Sequence, residues 1–249
     1  MSQPTVAEVF AALSATWPAA ATTRQGPWTI RDGQGGGKRV SAATAEGPVT
    51  DTDILAAEQA MQALGQTPLF MLRPGEDRLD ALLEARRYAI ADPTLIYAFP
   101  VARFTGEPVK RMTAFTLWPL LAIQRDLWAE GGIGPARIAV MERAPAPKTG
   151  ILARHNDQPA GTAFVSCAGR VAMIHAIEVP PHQRRQGVAT NILRLAAHWA
   201  HDQGADTLAL AVTRGNAPAN ALYASLGITV VGHYHYRTED PQTGTPTPT

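Results

Sequence analysis

The densest concentration of reactive residue types lies between positions 174 and 203. A strand-like run ending Ile174-His175-Ala176-Ile177-Glu178-Val179 is stopped by Pro180 and Pro181. The connection His182-Gln183-Arg184-Arg185-Gln186-Gly187-Val188-Ala189 is basic, contains a glycine, and runs straight into an amphipathic helix. The first turn of a helix carries N–H groups without intrahelical partners at the positive end of the dipole, which suits an anion. Gly187 would let a diphosphate approach the backbone closely, and Arg184 and Arg185 add charge at the same spot. The residues by themselves point to a phosphorylated ligand without naming it. Nucleotide-binding folds share this order of strand, glycine turn and helix, and the bland alternative is a connection whose arginines are merely solvated.

The run Arg184-Arg185-Gln186-Gly187-Val188-Ala189 resembles the Arg/Gln-x-x-Gly-x-Gly/Ala signature of the GNAT superfamily of acyl-CoA-dependent N-acyltransferases, which holds the CoA pyrophosphate. A second element, Asn216, Ala219, Leu222-Tyr223 and Leu226-Gly227-Ile228, resembles the family's Asn…Ala…Leu-Tyr…Leu-Gly-Phe pattern, with Ile228 in place of the usual Phe. Both are apolar residues that can start a strand. The two motifs occur in the family's order with a strand between them, and the resemblance covers roughly Trp118 to Tyr236.

The resemblance implies a mixed α+β GNAT fold with a central splayed sheet flanked by helices. Its strand from about Ile174 to Val179 would part from the neighbouring strand Thr207 to Val212 and leave a cleft for pantetheine. Backbone groups of Ile177, Glu178 and Val179 would pair with the pantetheine amides and help polarise a thioester carbonyl, a role that needs no particular side chain. Arg184, Arg185, Gln186, Gly187, Val188 and Ala189 would hold the diphosphate, and Asn216 and Tyr223 would border the same ligand. The implied co-substrate is acetyl-CoA or another acyl-CoA, without a metal. The implied reaction is transfer of an acetyl or short acyl group to a primary amine by direct attack. The rival reading is a non-catalytic module that binds or senses acyl-CoA on the same fold.

Two side chains are expected to carry the catalysis. Tyr223 matches the family's tyrosine, whose phenol can protonate a departing thiolate, against an alternative in which it anchors the last helix to the core. Asn216 equally suits an N-cap. The attacking amine must lose a proton, and many relatives carry a glutamate near the position of Met173, which this chain lacks. His175 lies two residues on and so faces the same side of the strand, which makes it the candidate base. Its alternative is a packed histidine. Glu178 has the opposite parity.

The elements that must position these residues follow from periodicity. Helices are expected over Val6–Trp17, Ile54–Leu64, Arg78–Tyr88, Pro119–Ala129, Gly187–Gln203 and Asn216–Leu226. Strands are expected over Leu69–Leu72, Thr94–Val101, Arg137–Glu142, Thr149–Arg154, Gly161–Ser166, Arg170–Val179, Thr207–Val212 and Ile228–Tyr236. Trp28–Arg31 and Arg39–Ala45 read as two strands joined by Gly33-Gln34-Gly35-Gly36-Gly37-Lys38 as a hairpin connection. That loop lacks the first glycine of a phosphate-binding P-loop, where Asp32 stands, and Arg39 replaces its Ser or Thr, so no nucleotide role is assigned to it.

A polar stretch around Thr105 to Lys110 suggests an α+β domain over residues 1–106, an acyltransferase domain over 107–237, and a disordered Thr- and Pro-rich tail over 238–249. The first of these faintly resembles the degenerate half of tandem GNAT proteins, which would shape the acceptor site rather than bind CoA; the alternative is an unrelated α+β domain.

Among 249 residues, 17% are charged and the formal net charge is +1, which gives no electrostatic case for nucleic acid or a membrane surface. The single cysteine, Cys167, excludes an intramolecular disulfide and fits a cytoplasmic location. His198 and His201 lack metal-ligand spacing. The acceptor is expected to be a small or amino-acid-like amine, with a protein amine as the other option.

Overall fold

Local chemistry starts the chain. Thr5 and Glu8 form a reciprocal capping box that opens helix α1 (Val6–Thr16), and Thr50 and Asp53 do the same for α3 (Asp51–Ala63). In the computed structural model, residues 4–239 are described apart from Glu107, Lys110 and Arg111. Between the two capped helices lie strands β1 (Ala21–Gln25) and β2 (Trp28–Asp32), a single turn of helix α2 (Lys38–Ser41) and the short strand β3 (Thr44–Ala45).

The remaining elements, in order, are β4 (Leu69–Leu72), α4 (Asp77–Ala85), β5 (Ala89–Pro100), α5 (Ala102–Thr105), β6 (Ala114–Leu117), α6 (Ala122–Glu130), α7 (Pro135–Arg143), β7 (Lys148–His155), β8 (Gln158–Ala168), β9 (Val171–Glu178), α8 (Val188–Asp202), β10 (Thr207–Thr213), α9 (Ala217–Ser225) and β11 (Thr229–Thr238).

Eight strands form one sheet in the order β4-β11-β5-β10-β9-β8-β7-β6, antiparallel except where β10 meets β9. Helix α8 covers one face. Its buried stripe of Val188, Ile192, Leu193, Ala196, Ala197 and Ala200 packs with Leu208, Leu210 and Val212 of β10. Helix α1 covers part of the other face, where Val9, Ala12 and Leu13 meet Met173, Ala209, Tyr234 and Tyr236. A further core cluster joins Trp17 to Trp128, Ile138, Met141 and Phe164, so α6 and α7 extend that second layer.

Two expectations are corrected. The hairpin joins β1 to β2 through Gly26 and Pro27, whereas the glycine run 33–37 leads into the helical turn α2. The sequence hid this hairpin because β1 is polar and exposed, with no apolar alternation. Residues 135–143 form a helix rather than a strand, since Gly134 ends the preceding turn and Pro135 occupies the first helical position, where its missing N–H costs nothing. Strand β5, from residues 1–106, lies between β10 and β11, from residues 107–237, and pairs with both. The expected tail lies outside the described residues from Asp240 onward, while Thr238 belongs to β11.

Among the described residues, no helix is long and apolar enough to cross a membrane, and no three His, Cys, Asp or Glu side chains are grouped to hold a metal.

Candidate active site

The site begins where two strands separate. The parallel ladder pairs Thr207 with Val171, Leu208 with Ala172 and Ala209 with Met173, and then stops. Beyond that point β10 stays paired to β5 as far as Thr213, and β9 stays paired to β8 as far as Glu178. The register of β9 against β8 shifts between Phe164↔His175 and Thr162↔Glu178, which leaves one extra residue on β9. Ala176 in this bulge has φ +50°. The Trp128 indole Nε1 donates to the Ala176 carbonyl at 2.8 Å and pins the bulge to α6. Two glycines admit it closely: a Cβ on Gly131 would lie 2.4 Å from Glu178 Cδ, and one on Gly161 would lie 2.9 Å from the Glu178 carbonyl oxygen.

The backbone edge from Ile174 to Val179 therefore borders a cleft of about 1340 Å³, whose opposite wall is Leu210 to Thr213. At one end of the cleft lies the basic turn. Arg185 has φ +60° and Gly187, the N-cap of α8, has φ +78°. Nothing lies within 4 Å of where a Gly187 Cβ would be. The first backbone bond of α8 runs from Asn191 N–H to the Gly187 carbonyl, so the N–H groups of Val188, Ala189 and Thr190 point out of the helix end. Arg184 Nε donates to the Val179 carbonyl at 2.9 Å, and its Nη2 lies 3.7 Å from Glu178 Oε1. Burial pushes the Glu178 carboxyl upward from its ordinary value, and Arg184 opposes that shift. Gln186 donates from Nε2 to the His182 carbonyl at 3.1 Å, closing the turn.

Across the cleft, Asn216 caps α9 by accepting from the Ala219 N–H at 3.1 Å. Tyr223 is buried in the wall with its ring 5.2 Å from that of Tyr97. Burial and then Tyr97 push its phenol upward, so it stays protonated. Asn220, which no sequence motif marks, holds this corner: it accepts from Tyr97 Oη at 3.0 Å and donates to the Thr213, Arg214 and Asn216 carbonyls.

His175 faces the far end of the cleft, on the side of α1 that Met173 also faces. Arg39 Nη1 donates to His175 Nδ1 at 3.2 Å. His175 Nε2 donates to Thr16 Oγ1 at 2.8 Å, and that hydroxyl donates to the Ala12 carbonyl at 2.7 Å. This relay fixes the neutral Nε2–H tautomer and uses both ring nitrogens. Burial, reinforced by the Arg39 charge, holds the imidazole well below its ordinary value. The ring also packs against Trp17 at 4.9 Å.

Several residues in this end of the cleft were not legible as site residues. Gly36, Gly37, Lys38, Arg39 and Asp92 come from the first hundred residues, Arg137 from α7, and Tyr234 and Tyr236 from β11. The glycine loop packs on α7, where a Cβ at Gly36 would lie 2.6 Å from Val140 Cγ2. The only sequence signal was the glycine run itself.

Residues 117–228 match the model of the Acetyltransferase (GNAT) family. The chain is 25% identical over 240 residues to the uncharacterized N-acetyltransferase YobR of Bacillus subtilis (strain 168), covering 90% of this chain and 94% of that protein. Its fold is similar to that of a GCN5-related N-acetyltransferase from Kribbella flavida, with TM-score 0.71 and 18% identity over 95% of this chain and 96% of that one. It is also similar to a tandem GNAT protein from the clavulanic acid biosynthesis pathway, with TM-score 0.55 and 12% identity over 92% and 86% of the two chains. The parted strands, the glycine-capped helix and the family match coincide in one segment, and residues 117–228 are a domain of the acyl-transferring GNAT superfamily.

Proposed function

We propose that this chain transfers an acetyl or another short acyl group from acyl-CoA to a primary amine by direct attack. The carrying observation is that β9 and β10 part after Met173, directly beside a glycine-capped helix end flanked by Arg184 and Arg185. These residues fit a CoA-type ligand on their own geometry. Open space at Gly187 and three outward N–H groups suit a diphosphate, and an unpaired strand edge suits a chain carrying amides.

In this reading the edge of Ile177 to Val179 aligns the pantetheine arm, and the backbone N–H groups around the bulge stabilise negative charge on the thioester oxygen as it develops. The amine nitrogen attacks the carbonyl carbon, the C–S bond breaks, and the Tyr223 phenol gives its proton to the leaving sulfur. Asn216 and Asn220 keep the loop ahead of α9 in place for that donation.

The geometry favours a role for His175 other than base. Its Nδ1 lone pair receives Arg39 and its Nε2–H is given to Thr16, so no lone pair remains for the amine. Glu178 is turned toward Arg184 and Gly131. Water in the open cleft therefore takes the amine proton, and His175 positions Arg39.

Thiol release from acetyl-CoA in the presence of a panel of amines tests this reading. Amine-dependent release supports it. Binding of acetyl-CoA without release under any amine would instead favour the non-catalytic sensing module.

A further inference from the structure

We infer that the acceptor amine carries an anionic oxygen group, a carboxylate or a phosphate, held by the guanidinium groups of Arg39 and Arg137 at the acyl end of the cleft. This rests on the acyl-transfer reading above and adds the substrate class. Both arginines line the cleft and lie close enough for the charge of one to act on the other. Arg137 lies over the glycine loop: a Cβ at Gly37 would be 3.3 Å from its Nη2 and 3.4 Å from its Nε. Gly37 has φ +98°, so a left-handed backbone and a close approach both call for glycine there.

Two like charges half-buried in one pocket are unfavourable unless something negative joins them. Among the described residues no acidic side chain does. Asp92, the acid in this wall, is taken by Lys38 at 2.7 Å, and Glu178 faces Arg184. Among the described residues no ion pair joins Arg39 or Arg137 to an acid. The remaining polar neighbours of Arg39 are the neutral His175 and the hydroxyls of Tyr234 and Tyr236, and Arg39 Nε is buried without a partner. A planar guanidinium fork with free donors is the side chain that matches a carboxylate or phosphate bidentately.

The position decides which ligand supplies the anion. Arg39 contacts His175, the residue directly before the Ala176 bulge where the thioester would lie, whereas Arg184 and Arg185 stand at the other end, beside α8. The diphosphate is served by that second pair. The Arg39 and Arg137 pair is left for the acceptor, and it is the part of the site built by joining the glycine loop of the first hundred residues to α7.

The test compares matched acceptors that differ only in charge: amino acids against their amides, and phosphoethanolamine against ethanolamine, in thiol-release assays with acetyl-CoA. Wild type is expected to prefer the anionic member of at least one pair by about 10- to 100-fold in kcat/KM, the range for loss of a charge-assisted hydrogen bond. The carboxylate and phosphate pairs identify which group is read. Arg137→Gln should remove that preference by raising KM for the anionic member alone, and Arg137→Lys should restore part of it. Arg137 half-emerges into the cleft, so its variants are less disruptive than changes at Arg39. Calorimetric binding of acetyl-CoA should be unchanged in both. Equal use of the charged and neutral members by wild type, or an equal loss for both in Arg137→Gln, would overturn the inference while leaving acyl transfer intact. Absence of any acetyl-CoA binding or thiol release by wild type would instead sink the underlying reading.

Discussion

The indole N–H of Trp128 donates to the carbonyl of Ala176 at 2.8 Å, so a residue of α6 fixes the point at which β9 leaves β10. Trp128 is fully buried. Trp128→Phe removes the donor and leaves that carbonyl unsatisfied, at an expected cost of about 1–3 kcal/mol in chemical denaturation. It should also lower kcat/KM with acetyl-CoA as the bulge relaxes. A stability loss with an unchanged rate would mean that the bulge does not orient the thioester.

Tyr223→Phe keeps the ring in its packing against Tyr97 and removes the proton donor. Turnover should fall by roughly 100-fold, the scale of general acid catalysis, while acetyl-CoA affinity stays close to wild type. Steady-state kinetics beside calorimetry separate the two quantities. A Phe variant with full turnover would reduce Tyr223 to a packing residue.

His175 sets a pH dependence of stability. Its folded-state pKa lies well below the ordinary value, so below about pH 6.5 the unfolded chain takes up a proton that the folded chain refuses. Stability should be fully present above that pH and fall by about 1.4 kcal/mol per pH unit below it. In His175→Gln this slope should disappear. The acidic limb of the pH–rate profile should persist in the variant, because His175 has no lone pair free to act as base. A flattened acidic limb would restore His175 to the proton-transfer step.

Gly36→Ala would place a methyl 2.6 Å from Val140 and 2.9 Å from Val40. Overpacking of this kind costs about 1–3 kcal/mol. The strain falls between the glycine loop and α7, so the KM for the acceptor should rise while acetyl-CoA binding is spared. An equal loss of both would argue that the loop serves the whole cleft.

The basic turn at one end of the cleft could be read from the sequence because its parts are local. Strand, basic turn, Gly187 and the apolar stripe of α8 are contiguous, and their spacing alone implies an anion-binding helix end. The opposite end of the cleft could not be read in this way. Arg39, Arg137, Tyr234 and Tyr236 are brought together only by the fold, and no periodicity links a glycine loop to a helix a hundred residues away. Two local misreadings hid it further. Arg137 to Glu142 is short and carries Ile138 and Val140, which suggests a strand, although Gly134 and Pro135 mark a helix start. The polar β1 leaves the true hairpin without an apolar pattern, and the glycine run 33–37 is the stronger turn signal nearby. Strand parity puts His175 on the side of β9 that Met173 faces, but parity could not show that Thr16 and Arg39 occupy both of its nitrogens.

Calorimetric titration of acetyl-CoA into the wild-type protein and into Gly187→Glu addresses the central claim without knowledge of the acceptor. Gly187 is exposed, and nothing lies within 4 Å of where its Cβ would be. A side chain there therefore costs only about 1–2 kcal/mol for its left-handed backbone, and the variant should still fold. Micromolar binding by wild type that is lost in the variant is the expected result. Unchanged binding in the variant, or no binding by wild type, would contradict the assignment of this turn as the CoA site.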